Sequence, residues 1–489
     1  MQAIILILVF LIGFLILSRL APSFTLLERG GFAFPVGLSL VTFLMLMVDW
    51  LGAPLSRPVV WTILFTLLLA SLALLLPVRR AFVQAFTRRI DFSFINALWI
   101  VAFLTVAYLE YANLMKTVYF PAYDRDSLAG FDTIGFVAAR EHTFHSLSIF
   151  AGDYMPSIHG PGSYISYMPM LQLSYALVYL FDAPTSKLIP AILWLSFLFG
   201  LYGVSRRFFR TSSGEPHGGD TAAMLVVLFT MFATEMVSFS SLSGTNVPQA
   251  VAAAPGLAYV ILWYRGYRLG RSTSISSSLE PLFMGCALLS VSCWLRLEGF
   301  IFTLIAFCVV LVGVLLGPAK SARPIVALSR RARILTPILT ICTLLPIIVF
   351  QIYSSSLGLT SEGTVITHPY WDAAKARTVL DYALMLLRST GYYGPSFLLL
   401  AAAFLLSLPL LVKGRGVMTY LALFSAFAMY FVMLYQIDYK WDTIENVLSY
   451  SAKRFLFCFV PLALVCALCQ GNLARLADWI ERLCSFRKQ

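Results

Sequence analysis

Long apolar runs separated by short polar segments recur along the whole chain, near residues 3–20, 32–52, 59–78, 93–115, 188–205, 221–240, 247–264, 281–295, 299–317, 335–353, 394–412, 417–436 and 455–470. A bilayer core takes roughly 20 mainly apolar residues per helical crossing, because within hydrocarbon each backbone N–H and C=O has to be paired inside the segment. The pattern therefore predicts about 13 transmembrane helices in an all-α polytopic membrane protein with a single integral membrane domain, 1–489. Within it, residues 1–90 form an N-terminal group of spans. Residues 91–320 follow with a large outer loop, 116–187, and residues 321–489 carry two further outer loops, 354–392 and 437–453. The first run, IILILVFLIGFLILSRL, is longer than a signal-peptide core and lacks a basic leader and a small-residue cleavage site, so it reads as a span.

Composition points the same way. Of 489 residues 60% are hydrophobic and 12% charged, with mean hydropathy +0.84, which excludes an ordinary soluble domain. The net charge of +12 does not call for nucleic acid, because it sorts by side. Alternate loops carry 23 Lys and Arg against 7 Asp and Glu on one face, and 12 against 16 on the other. The basic face, with RRAFVQAFTRR, RRFFR, YRGYRLGR, Lys320 to Arg333, KGR and the C-terminal tail, is expected in the cytoplasm. This sets the N-terminus outside, the tail inside, and the chain in the inner (plasma) membrane. The tail, NLARLADWIERLCSFRKQ, has the pattern of an amphipathic surface helix.

One stretch does not fit the alternation. Counting 164–181, YISYMPMLQLSYALVYLF, as a crossing would invert every later loop, so it is predicted to be an interfacial or half-inserted helix on the outer side, its aromatics suited to the headgroup region. The eight cysteines fall in apolar runs or the tail, and no disulfide framework or thiolate metal site is indicated.

The outer loops hold 16 of the 23 carboxylates and four of the five histidines, more polar investment than connection alone requires. Loop 116–187 contains YDRDSLAGFDTIGFVAAREHTFH, with Asp124, Asp126, Asp132, Arg140, Glu141, His142 and His145, then Asp153 and His159. From Asp132 the apolar spacing predicts a short surface helix with Asp132 at its N-cap, a position that serves either as a structural cap or as a carboxylate aimed into a cleft. His142 and His145, three apart with Glu141 beside them, would share a helix face, which permits a divalent metal ion without requiring one. WLRLEGF sets Arg296 and Glu298 between two runs, as a cleft pair or a hairpin ion pair. SAKRFLFCFV keeps Lys453 and Arg454 at an outer span end against the charge trend, suiting an anion such as a lipid phosphate.

Together these residues resemble the membrane glycosyltransferases of the GT-C fold, particularly the bacterial branch of the lipid A aminoarabinose transferase and the protein O-mannosyltransferases. FDTIGFVAARE matches that family's acidic motif before a surface helix ending Ala-Arg-Glu, with Asp132 in place of the second acid and Phe131 in place of the first. HGPGSYISYMP is similar to a run that opens a helix, with His159 near the family's lysine. TNVPQA sets Asn246 where the family often has an acid, and LRLEGF and the Arg454 context resemble two further landmarks. The resemblance covers roughly residues 95–300 and the last span.

It implies transfer of a sugar from a polyprenyl-phosphate donor to a hydroxyl of a glycan, lipid or protein acceptor on the extracytoplasmic face, with inversion. Asp132, or Asp124 or Asp126, would be the base. Arg454, Lys453 and Arg296 would receive the phosphate, and Arg140 would orient the loop. The loop with His368, Trp371 and Asp372 would form a lid. A polysaccharide polymerase or ligase is the second reading and a transporter or flippase the third. The last would favour ionisable residues within spans, where Glu110 and Glu235 are the nearest examples.

Overall fold

A computed structural model describes residues 1–87, 95–121, 124, 126–150, 167–213, 219–269, 275–318, 328–357, 365–367, 370–414, 416–439 and 443–483. The N-terminal helices are α1 (Gln2–Leu20), α2 (Leu26–Trp50), α3 (Arg57–Leu75), α4 (Arg79–Thr87) and α5 (Ala97–Tyr119). They are followed by α6 (Asp132–Glu141), α7 (Met170–Tyr179), α8 (Leu188–Ser213), α9 (Asp220–Met231), α10 (Thr234–Ser240) and α11 (Asn246–Leu269). The second half contains α12 (Ile275–Leu295), α13 (Gly299–Leu316), α14 (Arg330–Ile341), α15 (Leu345–Ser356), α16 (Ala373–Arg388), α17 (Thr390–Tyr393), α18 (Ser396–Val412), α19 (Val417–Gln436), α20 (Ile444–Val447), α21 (Lys453–Phe455), α22 (Val460–Leu468) and α23 (Gly471–Leu483). Two three-residue strands, β1 (Val365–Thr367) and β2 (Ile437–Tyr439), pair antiparallel with Ile366 opposite Asp438 and join the segments before α16 and after α19.

Among the described residues ten helices are long and apolar enough to cross a bilayer, and the chain is an all-α multi-pass membrane protein. The apolar run at 221–240 is not one straight span, because α9 and α10 meet at a 79° bend. Two other expected spans, at 281–295 and 394–412, are shorter apolar helices over Leu279–Leu295 and Ser396–Val412. Among the described residues each apolar run is largely helical, but ten of them, or eleven with the bent pair counted as one, meet the length and composition of a crossing.

Helix α11 is central and buried along nearly its whole length, packed between α8, α12 and α13. Charged side-chain contacts gather at the two ends of the bundle. At the basic end Arg207 donates to Glu28 at 2.5 and 2.8 Å, Arg206 meets Asp220 at 2.9 Å, and Ser23 donates to Glu280. At the opposite end Arg57 meets Asp182 at 2.6 Å, and Asp49 gathers groups from the first large loop and from Tyr353. Helix α23 forms over the tail: Ala474 and Ala477 pack inward, while Leu476, Trp479 and Leu483 are exposed, an apolar outer face suited to the membrane surface.

The segment expected to be interfacial or half-inserted forms a short helix enclosed by protein. Helix α7 has ten residues, too few to cross, and Met170 to Val178 are all buried, against α6, α2 and α12. Its aromatic Tyr175 is fully enclosed rather than set among headgroups. The apolar character of this stretch reflects packing on protein on all sides.

Candidate functional site

The first large loop folds by satisfying its own acids. Asp124 accepts the Ser127 backbone N–H at 3.0 Å and its hydroxyl at 2.6 Å, and the same hydroxyl accepts the Ser243 N–H at 3.0 Å. Asp124 is therefore a structural anchor tying the loop to the α10–α11 connection. A π-helical turn, Ser127–Phe131, then runs directly into α6. This displaces Asp132 from the expected N-cap: Phe131 and Asp132 both have helical backbone angles, and Asp132 is the first residue of α6. Its Oδ1 accepts the Tyr179 hydroxyl at 2.7 Å. Helix α6 reaches α7 closely because Gly135 has no side chain; a Cβ there would lie 2.5 Å from the Cβ of Tyr175 and 2.8 Å from the Gln172 carbonyl.

A second group of charges collects at one end of the bundle, where α10, α11, α12 and the last span meet. Arg454 donates to the Asp126 carboxylate. Arg296 forms a two-bond fork on Glu298, at 2.7 and 3.1 Å, and donates to Asn246. Lys453 meets Glu235 at 2.6 Å and lies 4.5 Å from the Tyr392 ring. Gly299 lets the start of α13 fold back on α12, since a Cβ there would be 2.7 Å from the Cys293 nitrogen. That close turn sets Arg296 and Glu298 beside one another.

Tyr167 joins the two groups. Its ring meets Phe131 edge-on at 5.3 Å and lies 5.9 Å from the Arg296 guanidinium. Burial pushes its phenol up, with Arg296 pulling down, Asp126 and Glu298 pushing up, and Arg454 pulling down. Tyr167 thus lies within electrostatic reach of all four charges. Burial opposes the charge on Arg296, but Glu298 and Tyr167 outweigh it and hold the guanidinium above its ordinary range. A further pair of cations flanks Asp124: Lys187 donates to the Phe120 carbonyl and Lys116 to Ser238 at 3.1 Å. Burial, then the nearby Lys116, pushes the Lys187 ammonium down, and Asp124 opposes the shift.

The other expected site residues are elsewhere. Helix α6 ends at Glu141, and His142 takes the left-handed conformation, φ 57°, so His142 and His145 do not share a helix face. His142 Nδ1 bonds the Leu55 carbonyl at 3.1 Å. His145 Nδ1 bonds Asp49 at 3.2 Å and Thr143 at 2.9 Å. Glu141 accepts the Ser148 N–H at 2.8 Å, and exposed Arg140 lies 5.1 Å from the Phe136 ring. These four shape the loop and do not face the cation group. Among the described residues no three His, Cys, Asp or Glu are grouped to hold a metal ion. Asp153, His159 and His368 lie outside the described residues.

Sequence reasoning passed over Tyr167, Tyr179 and Asp49. The first two lie in the stretch read as interfacial, and Asp49 closes an apolar run. Two of the cavities on the described surface are lined by neither Asp132 nor Arg454. One, of about 640 Å³, runs along Ile347, Ile348, Gln351, Ile352, Ser355 and Ser356 on α15. The other, of about 370 Å³, lies between α16, β2 and α20.

The fold and these charges define a multi-pass membrane protein with a polar centre at one end of the bundle. Comparison with protein-family models, with curated proteins and with solved structures finds no match to this chain.

Proposed function

We propose that the chain is a glycosyltransferase that moves a sugar from a polyprenyl-phosphate donor to an acceptor hydroxyl on the extracytoplasmic face of the inner membrane, with inversion. The observation that carries the reading is the neighbourhood of Arg454, Asp126, Tyr167, Arg296 and Glu298, joined through Phe131 to Asp132. Cations partly withdrawn from water at an outer helix end suit a phosphate leaving group. An acid on the adjoining turn suits proton removal from a hydroxyl.

In this mechanism the acceptor oxygen attacks the anomeric carbon as Asp132 takes its proton. The bond from that carbon to the phosphate oxygen breaks, and its electron pair leaves with the phosphate. Arg454 and Arg296 stabilise that charge, and the phosphate takes the place of Asp126 on Arg454. Tyr179 holds the Asp132 carboxylate in one orientation. Asp124 is engaged in its own turn and is not the base.

The test is purification in detergent with native lipid and mass spectrometry of what co-purifies. A polyprenyl-phosphate sugar bound to the wild type and lost from Arg454→Ala supports the reading. A wild type that neither retains nor transfers a sugar from such a lipid sinks it.

A second reading, a transporter, has specific observations behind it. The α9–α10 pair is broken by 79°, and Glu110 on the neighbouring α5 is buried. Broken helices beside an intramembrane acid are a feature of ion-coupled transport. The charges gathered at the outer end favour the first reading.

A further inference from the structure

The 370 Å³ cleft is lined by Asp372, Lys375 and Thr378 of the α16 segment and by Asp438, Ile444 and Glu445 opposite. Its volume is at the small end for ligand pockets, nearer a mono- or disaccharide than a longer chain. The lining is built rather than incidental. Lys375, buried to 8% exposure, pairs with Asp438 and donates to the Ile437 carbonyl at 3.0 Å. The Tyr435 hydroxyl accepts the Asp372 N–H at 2.6 Å and donates to the Tyr370 carbonyl at 3.0 Å. The β1–β2 pair ties the same two loops together.

Trp371, next to the lining Asp372, packs on Tyr435 with ring centroids 5.3 Å apart yet remains 75% exposed. An indole held from behind and open in front offers a flat apolar face beside carboxylates. That combination serves a sugar ring, whose C–H face stacks while its hydroxyls donate. Three carboxylates against one ammonium leave the lining negative, which disfavours a uronate or phosphorylated sugar. From Glu445 the chain runs inward through nine residues to Arg454, a helical rise of about 13 Å. On the transferase reading, the cleft then lies one short helical segment from the cations that would receive the phosphate, where an acceptor would approach.

We propose that this cleft binds a neutral or amine-bearing saccharide of the acceptor, stacked on Trp371 and hydrogen-bonded to Asp372, Asp438 and Glu445. The assignment to the acceptor rests on the transferase reading, whereas saccharide binding itself does not.

The experiment is saturation-transfer NMR on the full-length protein in nanodiscs with glucose, mannose, arabinose, N-acetylglucosamine, galactosamine and glucuronate. At least one neutral or amine-bearing sugar is expected to bind, about tenfold more weakly to Trp371→Ala and to Glu445→Gln. Both positions are exposed, so neither variant threatens folding. Binding unchanged in both variants, binding of glucuronate alone, or binding of none overturns the proposal. Transfer that depends on Asp132 with an acceptor KM unaltered in both variants also overturns it, and leaves the transferase reading standing. Sugar binding at this cleft without transfer does the reverse.

Discussion

Arg454 and Asp126, 328 residues apart in sequence, meet as an ion pair at one end of the bundle. Around them Arg296 pairs with Glu298 and Lys453 with Glu235, so three cations are matched by three carboxylates. An arriving phosphate cannot add to a neutralised site without taking a carboxylate's place. Asp126→Asn is therefore expected to tighten polyprenyl-phosphate binding by about tenfold, and Arg454→Ala to weaken it by at least as much. Isothermal titration of both variants measures this. Weaker phosphate binding in Asp126→Asn would mean that Asp126 organises the site rather than occupying it.

Asp132 accepts the Tyr179 hydroxyl, and transfer is assigned to its carboxylate. Asp132→Asn keeps the shape and removes the base, so kcat is expected to fall about 10² to 10⁴-fold with donor affinity unchanged. Tyr179→Phe releases the carboxylate from one orientation and is expected to cost about tenfold or less. Single-turnover transfer with a defined donor separates the two. An Asp132→Asn enzyme with wild-type kcat would return the role of base to Asp126.

The contact between α6 and α7 depends on Gly135. In Gly135→Ala the added methyl meets backbone atoms of α7, which cannot swing aside. Helix α6 then moves outward, taking Asp132 from Tyr179. Overpacking of this kind costs about 1–3 kcal/mol. Thermal unfolding in detergent reads the loss, and a further fall in transfer at temperatures where the variant is folded reads the displacement.

How far the sequence led depends on which contacts are local. Apolar runs and the sorting of Arg and Lys between alternate loops needed only composition, whereas the ion pairs at the two ends, Arg207–Glu28 and Arg57–Asp182, join residues that no sequence spacing linked. Arg454, Arg296 and Asn246 stood out as polar residues at apolar ends, and the fold brings them near one another. The partner of Arg454 did not, because nothing in 328 residues of spacing distinguishes Asp126 from Asp132. Helix α7 misled for a related reason. Its hydropathy is that of a helix in lipid, while burial by α2 and α6 leaves the same signature. The two histidines were read at helical spacing, but the left-handed turn at His142 ends the helix first.

Asp49 fixes the end of that same loop. Its side chain, fully buried, accepts the Phe144 N–H at 2.9 Å and the Thr143 hydroxyl at 3.1 Å, and also meets His145 and the Tyr353 hydroxyl. Asp49→Ala strands these donors and is expected to destabilise by about 2–4 kcal/mol. His145→Ala, removing a half-exposed partner, is expected to cost under about 1 kcal/mol. Limited proteolysis after Arg140 should accelerate in the first variant far more than in the second. Equal rates would show that Asp49 does not hold the loop.

Glu110 decides between the transferase and transport readings. It lies in α5, buried, with Oε2 accepting the Trp194 indole N–H at 3.0 Å and the Asn113 amide at 3.4 Å. Its Oε1 has no hydrogen-bond partner among the described residues, and Asn113 turns its amide also to Ser240 at 2.9 Å. A structural Glu110 is needed as an acceptor for Trp194, and glutamine supplies the same oxygen without an ionisable group. Glu110→Gln is then expected to fold with stability within about 1 kcal/mol of wild type and to keep full transfer. Glu110→Ala leaves the indole N–H unpaired beside a cavity and is expected to cost about 2–4 kcal/mol. Coupled transport would instead need the carboxyl to gain and lose a cation, so Glu110→Gln would be stable and inactive. Thermal unfolding alongside activity separates the cases, and a stable, inactive Glu110→Gln would turn the assignment toward transport.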